Sequence, residues 1–549
     1  MSELTHRYNE AQKPGLLRRI GLLRAAALVL AMMVAAPLLV VVLSWNGIEA
    51  DLWLHLIQTQ LGRLLGNTFI LVLGVSISVL ILGVSLAWLT ASCQFPGRKL
   101  FDVGLMLPLA VPAYVMAFVM VGLLDYSGPV QQQLRAWFGS GISFSFRGTG
   151  AVVMVMSLVL YPYVYMLSRN AFLAQGREPL EAARVLGYNP VLGFFKVALP
   201  MARPAIVAGL ALALMETLAD FGAVQIFNYD TFTTAIYKAW YGFFDIRTAA
   251  QLASILLLIV LSGLFAERKI RGGAEYFQSG KRAVAHSRIP LRGGRAVAAT
   301  LYCGLVLTLA FLVPVAQLVF WVAKYSWRDL DSRYMGLVGH TLSLAALAAI
   351  ITVAAAFLLA LYKRTYKGKL SAAVVRLATV GYALPGSVLA VGIMLSFNWL
   401  DSIVAAVQSG LGFAVQPWFV GGVLALLLAY ATRFLAAAYG PVETSLERIR
   451  PSIPEAASIL GAQPMDIVRR IYLPMLAPGL FTAALLVFVD VMKEMPATLL
   501  MRPFGWDTLA VRIYEMTSEG MWPQAALPGL TLVLVGLIPV IVLVRGSSR

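Results

Sequence analysis

The sequence predicts an all-α polytopic membrane protein of about 12 spanning helices, arranged as two tandem six-helix repeats. Three observations predict this. Of the 549 residues, 60% are hydrophobic and only 13% are charged, against about 25% charged in soluble domains. Apolar runs recur throughout, each of roughly the 18 or more residues needed to cross a hydrocarbon core of about 30 Å. Finally, one polar stretch appears twice. Glu181 to Ala205 reads EAARVLGYNPVLGFFKVALPMARPA, and Glu455 to Gly479 reads EAASILGAQPMDIVRRIYLPMLAPG. The copies stand 274 residues apart (455 − 181) with no gap between Glu181/Glu455 and Pro204/Pro478.

Taken in order, the first half yields spans near 25–45, 66–92, 102–124, 149–170, 204–227 and 249–266. The second yields spans near 297–322, 341–362, 373–398, 417–438, 478–500 and 525–544. Arg18, Arg19 and Arg24 precede the first run, as in a signal peptide. That run is long enough to span and lacks a small-residue cleavage site, so it reads as a retained anchor helix. Alternating the loops from a cytoplasmic N-terminus places most of the 43 Lys and Arg inside, as the positive-inside rule requires. Both termini are therefore expected in the cytoplasm. The net charge of +17 is explained by these loops, and no nucleic-acid partner is expected.

The division expected is a first half at 1–266, a basic cytoplasmic linker at 267–295 and a second half at 296–549. The linker, with Arg268, Lys269, Arg271, Lys281, Arg282, Arg288, Arg292 and Arg295, reads as a solvated tether beside anionic membrane lipid. The halves also match at Asn67-Thr68 and His340-Thr341, at Pro112 and Pro385, and at Asp230-Thr231 and Asp507-Thr508. Six spans per repeat is an even number, so the copies face the same way, related by an axis along the membrane normal with a pathway at their interface.

Within the repeated stretch, Glu181, Ala182, Ala183 and Leu186 fit a short helix that Gly187 ends. Asn189-Pro190 starts a second short helix, since proline is tolerated in a first turn. Leu199-Pro200 and Pro204 are expected to end it and launch the fifth span. Small alanines allow close approach, and Glu181 offers a charge. A cytoplasmic loop repeated once per half reads as a docking element.

These two copies resemble the EAA loop of ABC importer permeases of the binding-protein-dependent type I class. Glu181, Ala182, Ala183, Gly187 and Pro200 carry the pattern in the first copy, and Glu455, Ala456, Ala457, Gly461 and Pro474 in the second. The resemblance implies the type I importer permease fold with both halves fused, and it extends over nearly the whole chain. It also implies two copies of a cytoplasmic ATPase seated on the loops and a periplasmic binding protein outside, in a bacterial inner membrane. The chain has no Gly-x-x-x-x-Gly-Lys-Ser/Thr phosphate loop of its own. Asp220-Phe221-Gly222 lies in an apolar span without the other kinase parts. No bound cofactor is expected, and ATP is used by the partner subunit.

Glu216 and Asp220 in the fifth span, and Asp490 and Glu494 in the eleventh, stand four apart and at the same 274-residue offset (490 − 216). That spacing puts each pair on one helical face, and ionisable groups within a span usually face a cavity or a partner. Two readings stay open: the carboxylates line the pathway near its outer end, or they are structural, with Lys493 and Arg or Thr neighbours satisfying them. The stretches Leu214–Trp240 and Val489–Glu515 resemble the ferric-iron branch of these permeases, which implies import of iron(III). Permeases for thiamine, polyamine or phosphonate share the loop or the architecture and are the alternatives, and a secondary transporter is the alternative of another class. The outer loop Asn228 to Arg247, and its counterpart Arg502 to Met521, mix aromatic and charged residues. Such residues anchor the membrane interface, and contact with the binding protein is a second role. The four histidines are scattered and no metal site is assigned. Cys93 and Cys303 read as small buried apolar residues. No His, Cys or Ser constellation suggests catalysis.

Overall fold

The computed structural model describes residues 2–47, 50–139, 144–176, 178–271, 288–326 and 330–547. Lys281 and Arg282 of the expected tether lie outside them. Among the described residues, eleven helices are long and apolar enough to cross a membrane. The twelfth expected span is the helix Ala526–Ser547, apolar over Ala526–Val542. One feature departs from the all-helical pattern: Cys93–Gln94 pairs in parallel with Ile289–Pro290.

Two spans are broken where one continuous helix is expected. The segment at 102–124 is a short helix Arg98–Gly104, a 3-10 turn Leu107–Ala110 and a helix Ala113–Leu124. Its repeat mate is Lys369–Ala378, Val380–Ala383 and Gly386–Gly410. Both breaks fall at the matched prolines. Proline pushes the residue before it out of the α region, and Val111 and Leu384 are extended, with ψ of 115° and 135°.

The chain packs as two compact units that cut across the sequence halves. One unit comprises Met1–Asn46 with Leu337–Thr508. In it the N-terminal helix lies against Gly386–Gly410, so closely that a Cβ on Gly392 would sit 2.6 Å from the Pro37 carbonyl oxygen. The other comprises Gly47–Gly336 with Leu509–Arg549. Its centre is the packing of Gly62–Ser92, Thr149–Gln175 and Leu199–Ala219. A Cβ on Gly209 would stand 2.8 Å from Cα of Val164. Small residues allow such backbone approach where lipid supplies no hydrophobic drive between helices. The segment before and through Gly294–Leu307 belongs to this unit, so the repeat in sequence and the unit in space have different boundaries.

Candidate coupling loops and intramembrane carboxylates

Both repeated loops fold the same way. The first begins with the helix Glu178–Val185 and the second with Ser452–Ile459. Gly187 and Gly461 follow in the left-handed region, with φ of 83° and 85°. In the first copy the Gly187 N–H donates to the Arg184 carbonyl at 2.9 Å and the Tyr188 N–H to the Ala183 carbonyl at 3.0 Å. In the second, Gly461 donates to Ser458 at 3.1 Å and Ala462 to Ala457 at 3.0 Å. This is a Schellman cap, and it needs a residue that tolerates positive φ. The third residue of each Glu-Ala-Ala therefore receives the closing hydrogen bond.

Beyond the cap the structure differs from expectation. The second short helix does not end at Leu199-Pro200. Pro190–Gly193 continues through a π-turn, Phe194–Ala198, into Leu199–Ala219. Likewise Pro464–Ile467 continues through Val468–Tyr472 into Leu473–Lys493. Proline removes one i→i−4 bond and its ring crowds that carbonyl. The wider π-turn absorbs both, with the Leu199 N–H donating to Phe194 and that of Leu473 to Val468. The second helix of each loop is thus an extension of the fifth or eleventh span, and only the Glu-Ala-Ala helix stands apart from it, across the glycine cap.

Each loop carries an exposed apolar knuckle at the end of its Glu-Ala-Ala helix. Val185 and Leu186 are 88% and 76% exposed, and Ile459 and Leu460 are 86% and 87% exposed. Glu181, Ala182, Glu455 and Ala456 are also exposed, whereas Ala183 is buried against its own loop. The first loop is held from below by Phe194, whose ring lies 4.8 Å from that of Trp88, and by Lys196 over the Tyr188 ring. Pro200 and Pro474 sit just past the π-turns, in the first turn of the following helix, and are themselves exposed.

The four carboxylates divide into two kinds. Asp220 does not share a helical face with Glu216: the helix ends at Ala219 and Asp220 is extended, with ψ of 131°. Its Oδ1 accepts the N–H groups of Ala223 and Val224 at 3.0 and 3.1 Å, capping the short helix Gly222–Ile226. Glu494 leaves its helix in the same way, and its Oε1 accepts the Ala497 N–H at 3.0 Å. An acidic side chain at a helix start competes successfully with continued helix because it satisfies orphan donors. Glu494 is also ion-paired with Arg433 at 2.7 Å, a partner that the sequence reading left unnamed. An arginine within the apolar stretch Val423–Glu447 was its signal. Glu216 and Asp490 lie one turn inside their helices and are half-buried, with interactions of their own.

The loops that follow the fifth and eleventh spans are tied down by the matched residues at the start of the second and eighth spans. Asn67 Nδ2 donates to the Asp230 carbonyl at 2.9 Å, and Tyr229 donates to the Asn67 carbonyl at 3.1 Å. Asp230 is also paired with Arg63 and Lys238 at 2.9 and 2.6 Å. In the other loop, His340 stacks on Trp506 at 4.9 Å, and Arg502 pairs with Asp507. Among the described residues no group of three or more His, Cys, Asp or Glu is arranged to hold a metal ion.

A polytopic helical chain with two copies of one loop, each leading into a span and carrying an exposed apolar tip, is a two-half transport permease. The family model for the binding-protein-dependent transport system inner membrane component matches residues 80–266 and 352–547, and the chain belongs to that family, the ABC importer permeases of the inner membrane. It is similar to an Fe(3+)-transport system permease protein of Haemophilus influenzae, 28% identical over 500 residues, covering 90% of this chain and 92% of the relative. It is also similar to a molybdenum transport system permease protein of Escherichia coli, 34% identical over 26% of this chain and 62% of the relative. A sulfate transport system permease protein of Salmonella typhimurium is 29% identical over 38% of this chain and 73% of its own length.

Proposed function

We propose that this permease translocates iron(III), handed over by a periplasmic binding protein and driven by two copies of a cytoplasmic ATPase. The similarity to the Fe(3+) permease carries the substrate, because it runs through both halves. The molybdenum and sulfate relatives are similar over one permease half's worth of chain and speak for the architecture alone. The two ATPases seat on the exposed tips Val185-Leu186 and Ile459-Leu460, beside Glu181 and Glu455. Both termini are cytoplasmic in this reading, which follows from the placement of Lys and Arg.

ATP-driven closure of the ATPases draws on both loops. Because the second helix of each loop, from Pro190 and from Pro464, runs into its span without a break, that movement reaches Glu216 and Asp490 along one helix once it has crossed the glycine cap. The pathway then opens outward to the docked binding protein, and hydrolysis resets it inward. Glu216 and Asp490 line the pathway, and Asp220 and Glu494 shape its outer end as caps. Iron(III) is cargo here and the chain keeps no resident metal. The test is uptake of radioactive iron(III) into proteoliposomes containing this chain, its ATPase and the binding protein, with and without internal ATP. ATP-dependent accumulation of iron and not of thiamine, molybdate or sulfate is the expected result. Iron left outside while another solute enters would overturn the substrate, and accumulation without ATP hydrolysis would overturn the coupling.

A further inference from the structure

At the cytoplasmic end of the larger compact unit, three arginines gather around one carboxylate. Arg169 takes both oxygens of Asp102, with Nε at 2.5 Å from Oδ1 and Nη2 at 2.7 Å from Oδ2. Arg98 reaches the same carboxylate only at 3.9 Å. Its Nη1 donates to the Thr90 carbonyl at 3.0 Å, which fixes the side chain in place. The pairing of Cys93 with Ile289 brings in Arg288, the residue just before that strand. Burial holds the Arg288 guanidinium below the ordinary arginine range; Arg98 and Arg169 push it the same way, and Asp102 opposes them.

Among the described residues the charges do not balance. Asp102 is neutralised by Arg169, and Arg98 and Arg288 are left over. Arg98 is only 7% exposed. The Nε–H groups of Arg98 and Arg288 are both buried without an acceptor among the described residues. A buried guanidinium without its hydrogen bonds is costly, so an assembly of this kind is completed by an anion. Arginine pairs are suited to phosphate oxygens, which accept two parallel N–H bonds.

The surroundings say which anion. The helix Arg98–Gly104 packs against Gly294–Leu307, with the Thr300 hydroxyl donating to the Pro96 carbonyl at 3.1 Å. On these helices Leu100 and Leu301 are each 67% exposed and Val297 is 58% exposed. A cationic pair at the cytoplasmic surface thus adjoins an uncovered apolar face, in a protein of the inner membrane. We propose that Arg98 and Arg288 hold the phosphate of an anionic phospholipid whose acyl chains lie over Leu100, Val297 and Leu301. The lipid would reinforce the contact between the start of the second half and the first half's third span, which the two-residue strand and the packing of Arg98–Gly104 on Gly294–Leu307 already make.

The experiment is native mass spectrometry of the full chain released from membranes of phosphatidylcholine with phosphatidylglycerol, alongside titration of each lipid into phosphatidylcholine nanodiscs. Wild type retains phosphatidylglycerol in preference to phosphatidylcholine, and Arg288→Gln binds it about tenfold more weakly. Lys367→Gln removes an exposed cytoplasmic cation far from the cluster in sequence and keeps the retained lipid. Arg288→Lys, which keeps the charge without the planar fork, falls between them and guards against a folding defect in the glutamine variant. Equal retention by wild type and Arg288→Gln, or equal loss in Lys367→Gln, would overturn the site. Equal protection by inorganic phosphate alone would overturn the lipid as its occupant.

Discussion

The guanidinium of Arg433 and the carboxylate of Glu494 meet at 2.7 Å inside the helical core, with their side chains 11% and 4% exposed. A Cβ on Gly386 would stand 2.0 Å from Arg433 Nη1 and 2.5 Å from Glu494 Oε1, so the glycine makes the room for the pair. At the matched position the first half has Asp220, capping the following helix without an arginine of this kind. Among the described residues both copies thus share the capping carboxylate, and the second copy pairs it with a countercharge.

Removing one partner of that pair strands a buried charge. Arg433→Met is expected to cost about 3–5 kcal/mol, read as a lowered midpoint of thermal unfolding in detergent. Arg433→Met combined with Glu494→Gln should cost clearly less than Arg433→Met alone, because the amide keeps the cap on Ala497 without a charge. Gly386→Ala should destabilise as well by displacing both groups. A double variant as unstable as the single would show that the pair matters for packing and not for charge.

Gly187 and Gly461 allow strain and docking to be separated. No atom lies within 4 Å of a Cβ built at either position. Alanine there pays only for left-handed backbone, about 1–2 kcal/mol each. Gly187→Ala with Gly461→Ala should thus transport nearly normally at moderate temperature. Gly187→Arg with Gly461→Arg adds bulk beside Leu186 and Leu460 and should abolish ATP-driven uptake in protein that still folds. Full uptake by the arginine pair would remove the loops from the coupling role.

The contrast between legible and illegible features follows from range. Gly187 as a helix stop and Pro112 and Pro385 as breaks are local, set by which φ and ψ a residue tolerates. Gly187 was readable, as were the spans, whose length is imposed by the bilayer, whereas Pro112 and Pro385 were read only as matched positions inside unbroken spans. Continuity through Pro200 was not readable. Proline reads as a helix breaker, and the π-turn that accommodates it forms with Phe194 in one copy and Val468 in the other, so no residue type in the turn announces it. Asp220 and Glu494 misled for a related reason: four-residue spacing puts two residues on one face only while the helix lasts. The partnership of Arg433 with Glu494, like the joining of the N-terminal helix to Gly386–Gly410, is long-range and leaves no periodic trace.

The π-turns offer a test of the extension reading. Pro200→Ala restores an N–H that can donate to the Lys196 carbonyl, so ordinary α-helix becomes available from Phe194 onward. Stability should stay within about 1 kcal/mol. Tightening the turn would rotate the preceding residues, Val185 and Leu186 included, by up to about 100°, the rotation of one helical residue. Uptake should therefore fall while the fold survives, most strongly when Pro474→Ala is added. Hydrogen exchange over Phe194–Ala198 reports whether the turn has closed, and unchanged uptake with a closed turn would separate loop orientation from coupling.

The carboxylates give the sharpest division. Glu216 and Asp490 lie within their helices, whereas Asp220 holds two backbone N–H groups and takes a hydrogen bond from Thr233 at its carbonyl, at 2.7 Å. Asp220→Ala should lower stability by about 0.5–2 kcal/mol, the value of a lost cap, and Asp220→Asn should largely restore it because the amide oxygen still accepts. Glu216→Gln and Asp490→Asn should behave oppositely. Each keeps the shape of its side chain, so thermal unfolding should move little. Each removes a hard oxygen charge, and iron(III) uptake should fall roughly tenfold, equivalent to about 1.4 kcal/mol. Measuring uptake and unfolding on the same four variants decides the matter. If Asp220→Asn stops transport in stable protein and Glu216→Gln does not, the charge that the cargo meets is the one at the helix end, and the cap has a second duty.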